Sequence, residues 1–191
     1  QQSHGLLFAE KALAQGAAFI LVEAAEDLPP LAAAVANRYA LIPLLREKLA
    51  ELALAQSNYA VQRLNVVGIT GTNGKTSTTQ LLAQALQSLS AKPVATIGTL
   101  GIGLLDSLTP SDRTTPDVLS LHQSFQMLEA QGATRVVMEV SSHALDQGRV
   151  DGVNFTGAIY TNLTRDHLDY HGNMAAYAEA KAKLFRTPGL K

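Results

Sequence analysis

Cysteine is absent from the 191 residues, which excludes disulfides and thiolate zinc sites and fits a reducing compartment. Charge is also scarce. Only 16% of residues are charged and the formal net charge is −1, so the chain has no general attraction to nucleic acid or to an anionic membrane. No nucleic-acid partner is expected, and any recognition of phosphate must be local. No apolar run reaches the roughly 18 residues of a membrane span, and the first residues lack the charged-then-apolar pattern of a secretory signal. A soluble, cytoplasmic protein without membrane insertion is the expectation. What the chain does have is apolar content: at 47% hydrophobic it can bury a core, and its length suits one full domain plus a smaller piece.

The order of apolar patterns gives the architecture. Leu6–Gln15 has helical spacing, Gly16 stops it, and Ala18-Phe19-Ile20-Leu21-Val22 is a short buried-strand candidate. Asp27–Pro30 breaks the pattern, and Ala40–Ala55 contains the helix-like run Leu44–Leu52 with charges on one face. Periodicity fades around Ser57–Leu64, where a domain boundary is expected. From Asn65 onward strand and helix signals alternate: strand Val66–Thr70, helix Thr76–Leu89, strand Val94–Ile97, and a polar, Gly-rich loop Gly98–Thr115. Next come a helix opened by Pro116 and running to about Gln131, strands Arg135–Val140 and Phe155–Thr161, and a helix Met174–Phe185. This alternation predicts an α/β fold with a doubly wound, mostly parallel sheet, preceded by part of a small α/β domain.

One motif carries chemistry by itself. Val66-Val67-Gly68-Ile69-Thr70-Gly71-Thr72-Asn73-Gly74-Lys75-Thr76 runs from an apolar strand through glycines into Lys-Thr and a helix, the context that gives a phosphate-binding P-loop its meaning. Glycines let backbone N–H groups converge on an anion, the helix adds its positive end, Lys75 reaches the terminal phosphates, and the Thr76 hydroxyl can ligate Mg²⁺. The loop is a variant, with Ile69 where the general pattern has its first glycine.

Two further segments supply polar groups at strand ends, where open α/β sheets place their ligand crevice. In Arg135-Val136-Val137-Met138-Glu139-Val140-Ser141-Ser142-His143 the single carboxylate Glu139 is placed to complete the Mg²⁺ shell begun by Thr76, unless the strand is an edge with Glu139 facing water. No Gly-x-Ser-x-Gly elbow accompanies Ser141 and Ser142, so orienting a substrate suits them better than hydrolysis, and His143 is as readily structural as functional. Asn162-Leu163-Thr164-Arg165-Asp166-His167-Leu168-Asp169-Tyr170-His171-Gly172 gathers carboxylates and imidazoles after a strand; His167 is a candidate ligand of a divalent ion, with Asp166 or Asp169 orienting it. Lys181 shares a helix face with Tyr177, but nothing in the pattern separates it from Lys183.

Taken in order, Gly71–Thr76, Thr114-Thr115-Pro116-Asp117, Met138–Leu145 and Thr161–Gly172 resemble the Mur ligase family of ATP-dependent amide-bond ligases of peptidoglycan synthesis, and within it the branch that adds the third residue of the stem peptide. The resemblance implies that Gly71, Thr72, Asn73, Gly74, Lys75, Thr76 and Ser77 bind ATP. It implies that Thr76 and Glu139 ligate Mg²⁺, and that His167 with a carbamylated Lys181 holds a second Mg²⁺. Thr114, Thr115, Ser141, Gln147 and Arg149 match positions that contact the UDP-N-acetylmuramoyl-dipeptide. The implied reaction activates the D-glutamate side-chain carboxylate as an acyl phosphate, which the amine of a diamino acid then attacks. The family has three domains. Residues 1–60 correspond to the end of the UDP-substrate-binding domain and 61–191 to the first part of the central ATP-binding domain, with the C-terminal ligase domain absent, so turnover by this stretch alone is not expected. The identity of the diamino acid, lysine or meso-diaminopimelate, and the oligomeric state are not legible.

Two other readings stay open. A folylpolyglutamate synthase-like ligase would share the P-loop, though Thr114–Asp117 and Ser141–Leu145 argue against it. A non-catalytic P-loop module would leave the cluster at Asp166–His171 without a purpose.

Overall fold

A computed structural model describes residues 5–25, 28, 35 and 37–190. Of the expected pattern break at Asp27–Pro30, only Leu28 lies within the described residues. The chain divides into two compact units, Gln1–Leu49 and Ala50–Lys191. Ala60, Val61 and Leu64 are buried in the core of the larger unit.

In the smaller unit a 3₁₀ turn at Gly5–Phe8 leads into helix α1 (Ala9–Ala14). Two short strands, β1 (Ile20–Glu23) and β2 (Tyr39–Ile42), pair in parallel. Strand β2 was not foreseen, since its four residues adjoin the helical run that became α2 (Leu45–Gln56). The Glu23 carboxylate accepts a hydrogen bond from the Arg46 backbone N–H at 2.9 Å, in the first turn of α2, where an anion is favoured.

The larger unit holds a six-stranded sheet. Its strands are β3 (Asn65–Thr70), β4 (Val94–Gly98), β5 (Gly101–Leu104), β6 (Ser107–Thr109), β7 (Arg135–Glu139) and β8 (Phe155–Tyr160), in the order β6-β5-β4-β7-β3-β8. The four strands from β4 to β8 are parallel, and β5 and β6 continue the sheet as an antiparallel hairpin. That hairpin occupies the segment expected to be loop. Its glycines hid it: Gly101 sits at φ 129°, where a side chain would run into the carbonyl of Thr109 on the partner strand.

Side chains alternate across the sheet as a period of two requires. Val66, Ala95, Ile97, Val136 and Met138 face one core with Leu121, Phe125 and Leu128 of helix α4 (Val118–Ala130). Ile69, Val94 and Val137 face the other, with Ala83 and the partly buried Leu82 and Leu86 of helix α3 (Lys75–Ser88). A strand covered on both faces reads as a continuous apolar run, which is why β7 could be found in the sequence. Helix α4 starts two residues later than expected. Asp117 caps it by accepting from the Ser120 N–H at 3.0 Å, so Pro116 precedes the cap instead of occupying the first turn. Three helices close the chain: α5 (Ser142–Asp146), α6 (Leu168–His171) and α7 (Met174–Ala182), the last continuing as a 3₁₀ turn, Lys183–Arg186. Among the described residues no helix is long and apolar enough to cross a membrane.

Phe125 is fully buried between α4 and the sheet. Phe125→Ala is expected to cost about 3–5 kcal/mol of stability, measured by urea unfolding, with an unchanged slope against denaturant if the native fold is retained.

Candidate functional site

Strand β3 lies between β7 and the edge strand β8, and the loop that leaves it is held from several sides. Gly71 lies at φ 144° and Gly74 at φ 80°. A side chain at 71 would collide with the Thr161 hydroxyl just past β8. The Thr72 N–H donates to the Asn162 carbonyl at 2.9 Å, the Asn73 N–H donates to Asn162 Oδ1 at 3.0 Å, and Asn162 Nδ2 returns a bond to the Asn73 carbonyl at 3.1 Å. The Thr72 hydroxyl accepts from the Thr164 N–H at 3.0 Å and lies 3.1 Å from the Tyr177 hydroxyl. No side chain caps α3 at Gly74, so its first N–H groups and positive end are available to an anion. Ile69, the departure from the general loop pattern, is still strand: it is fully buried beneath α3, and Gly71 provides the turn.

Glu139 ends β7, between β3 and β4, and is 1% exposed. The edge-strand alternative is thereby excluded. Its Oε2 accepts from the Thr76 hydroxyl at 2.9 Å, and its Oε1 accepts from the Thr99 N–H at 2.8 Å. Gly98 makes room, because a β-carbon there would land on the carboxylate. These donors fit a hard divalent cation: a carboxylate and a hydroxyl oxygen in contact, beside an anion-binding loop. Among the described residues no three His, Cys, Asp or Glu side chains gather as a metal cage, so an ion here would draw further ligands from phosphate oxygens and water, as Mg²⁺ usually does.

Two lysines converge on the same loop. The ammonium of Lys75 donates to the carbonyls of Gly71 and Thr72, both at 2.8 Å. Lys181, 1% exposed, donates to the same Gly71 carbonyl at 2.8 Å, and its Nζ stands 4.5 Å from the centre of the Tyr177 ring. Burial, reinforced by the charge of Lys75 and opposed by Asp166, lowers the Lys181 pKa from 10.5 to about 8. Burial also lowers Lys75, with Glu139 opposing. Lys183, which the sequence could not separate from Lys181, points elsewhere and pairs with Asp146 at 2.8 Å in an exposed ion pair.

His167 follows β8 in a left-handed conformation, φ 52°. Asp166 accepts its backbone N–H at 2.9 Å and places Oδ2 3.5 Å from its Nε2, so of the two candidate carboxylates Asp166 is the one beside it. The His167 ring lies 4.9 Å from that of His143 and 6.1 Å from that of Tyr177, the ring that Lys181 covers. His171 bonds the Ser142 hydroxyl at 3.0 Å. Burial lowers the pKa of both His143 and His171, helped at His143 by the neighbouring imidazoles and opposed at His171 by Asp146.

Of the remaining candidates, Thr115 bonds the Glu139 main chain directly. The Thr115 hydroxyl donates to the Glu139 carbonyl at 3.0 Å and accepts from the Ser141 N–H at 3.1 Å, while the Ser141 hydroxyl caps α5 at Ala144. Thr114 meets Thr99, hydroxyl to hydroxyl, at 3.1 Å. Arg149 donates to Gln147 Oε1 at 2.8 Å and to the Thr115 carbonyl at 3.3 Å, and Gln147 reaches the Tyr170 hydroxyl at 3.1 Å. Ser77 is exposed in the first turn of α3. Thr99, which holds the Glu139 carboxylate, and Gly98, which makes room for it, were missed. The signal for them was their place at the end of β4, within what looked like plain loop.

Residues 69–190 match the Mur ligase middle domain. The chain belongs to the Mur ligase family. It is 55% identical, over 99% of its length, to UDP-N-acetylmuramoyl-L-alanyl-D-glutamate--2,6-diaminopimelate ligase of Xanthomonas campestris pv. campestris (strain 8004), and spans 37% of that relative's length. A solved structure of a ligase of the same name is 39% identical, with TM-score 0.77, over 97% of this chain and 36% of its own. The MurF ligase from Thermotoga maritima, solved in complex with ADP, shares the fold at 22% identity and TM-score 0.57, over 93% of this chain and 36% of its own.

Lys181 sets a pH dependence of stability. A lysine whose pKa is lowered on folding carries a penalty at low pH, when both states are protonated. The penalty is relieved as pH rises through about 8, where the folded state loses its proton and the unfolded state keeps one. In CO₂-free buffer, wild type is therefore expected to gain on the order of 1 kcal/mol relative to Lys181→Met between about pH 7 and about pH 9, by paired denaturant titrations. A difference that is flat or falls with pH would contradict the placement of this ammonium.

Proposed function

We propose that this chain is the nucleotide-binding part of an ATP-dependent ligase that joins 2,6-diaminopimelate to the D-glutamate of UDP-N-acetylmuramoyl-L-alanyl-D-glutamate. The convergence of the P-loop, Glu139 and Lys181 where β3 and β7 end carries this reading. The 55% identity to a relative of that name supports the choice of substrates. Residues 1–60 would be the end of the UDP-substrate domain and 61–191 the first part of the ATP domain. An enzyme consuming ATP and a UDP-linked precursor works in the cytoplasm and serves cell wall biogenesis, and through it cell shape and division.

In the reaction, a carboxylate oxygen of the D-glutamate takes the γ-phosphoryl of ATP and ADP leaves. The amine of the incoming diamino acid then attacks the acyl carbon, losing a proton, and phosphate departs. The loop N–H groups and the open end of α3 would seat the phosphates, and Lys75 would leave its two carbonyls to reach the transferring group. Thr76 and Glu139 would hold one Mg²⁺, and His167 with Lys181 a second. When bound, these ions neutralise charge developing on the phosphoryl oxygens. Lys181 suits its part only after carbamylation, which turns a cation into an oxygen ligand, and an amine with a pKa of about 8 has a reactive neutral fraction under physiological conditions. Thr114, Thr115, Ser141, Gln147 and Arg149 would bind the UDP-linked substrate. Arg149, braced by Gln147 and the Thr115 carbonyl, offers the guanidinium an anionic group requires.

The full-length protein is expected to release phosphate only when ATP, Mg²⁺, the UDP-linked dipeptide and 2,6-diaminopimelate are all present. Lys75→Ala should lower kcat by about a hundredfold or more, and labelled bicarbonate should give a carbamate NMR signal that Lys181→Ala abolishes. Release with folate and glutamate, or with no acceptor, would replace this reading by that of a folate ligase or a nucleotide switch.

A further inference from the structure

We infer that His122, a buried histidine outside the crevice, positions the turn that carries Gln147 and Arg149 and so sets the grip on the UDP-linked substrate; the inference rests on the substrate reading proposed above. His122 lies in the second turn of α4 and is fully buried. Its Nε2 is 3.0 Å from the Asp151 carbonyl. A carbonyl only accepts, so the ring must carry its proton on Nε2. Its other nitrogen, Nδ1, is then an acceptor, and it is buried without a partner. An apolar side chain would fill this place with no orphaned atom. The feature that distinguishes histidine here is the single bond it gives to the turn.

The Gln147 N–H donates to the His143 carbonyl and the Arg149 N–H to the Ala144 carbonyl, both at 2.9 Å, which ties the start of the turn to α5; beyond Arg149 its supports are fewer. After α5 the chain runs through Gly148 at φ 67° and Gly152 at φ 79°, two conformations that side chains resist. The Asp151 N–H donates to the Gly148 carbonyl and the Val153 N–H to the Val150 carbonyl, both at 3.2 Å, which shapes the turn without tying it to a neighbour. Val150 and Val153 pack into the core. The bond from His122 to Asp151 fixes the turn to α4. The same helix follows directly from Thr114-Thr115-Pro116-Asp117, and Arg149 bonds the Thr115 carbonyl from the other side. The α4 segment therefore holds the arginine's turn at two points, one at Thr115 and one at His122. Gly152 leaves no slack beneath: a β-carbon there would stand 3.0 Å from Leu54 and 3.3 Å from His122 Nε2.

Three variants of the full-length protein test this. His122→Gln keeps an N–H near the place of Nε2, whereas His122→Asn is one carbon shorter and cannot span to Asp151. The His122→Asn change is expected to raise KM for the UDP-linked dipeptide about tenfold while KM for ATP stays within about twofold, and His122→Gln to restore most of the loss. Should the His122 variants fold poorly, Gly152→Ala presses on the same contact from the turn side and is expected to give the same selective rise. Amide hydrogen exchange across Gln147–Val153 needs no substrate: it should accelerate in His122→Asn and not in His122→Gln. Equal rises in both KM values, no rise in either, or unchanged exchange would overturn the role of His122. Absent turnover in a wild type whose exchange responds as expected would instead count against the substrate.

Discussion

The Glu139 carboxylate is the point on which the crevice depends. It is buried at the end of a central strand, where an ionised group is tolerated only with hydrogen-bond donors around it. Thr76 of the nucleotide loop and Thr99 beyond β4 supply those donors. The Glu139 carbonyl accepts from Thr115 on the approach to α4. One residue thus joins the phosphate loop, the hairpin and the segment that leads into α4. Its surroundings are built around it, down to the missing β-carbon at Gly98.

The second organising feature is positive charge held in reserve. Lys75 and Lys181 both donate hydrogen bonds to one carbonyl, that of Gly71. Two ammonium groups sharing an acceptor in a buried place disfavour each other, and both have lowered pKa values, through burial first and, for Lys181, through its neighbour next. Such an arrangement favours anything that adds negative charge, whether nucleotide phosphate or a carbamate on one of the lysines.

How much of this was legible follows from range. The parallel core showed itself because strands buried on both faces are apolar throughout, as in Val136-Val137-Met138, and the P-loop because its glycines and Lys-Thr stand between a strand and a helix. The hairpin Gly101–Thr109 did not, since its glycines, needed for close strand approach, look like loop. Strand Tyr39–Ile42 was hidden by the helical pattern beside it. Lys181 could not be told from Lys183 by local pattern, because its burial is decided by a carbonyl 110 residues earlier in the chain. Nothing in the α4 pattern singles out His122; only the approach of the Asp151 carbonyl sets it apart. Resemblance to the family supplied assignments that periodicity could not.

The contacts of Gly71–Thr76 also bear on whether the loop is portable. Its shape is fixed by Thr161, Asn162 and Thr164 past β8, by Tyr177 and Lys181 on α7, and by Glu139 on β7. A graft that moved β3, the loop and α3 into another parallel sheet would carry every residue of the motif and few of its restraints. The transplanted glycines would then be free to relax, and the phosphate cradle would cease to be a property of the peptide that spells it.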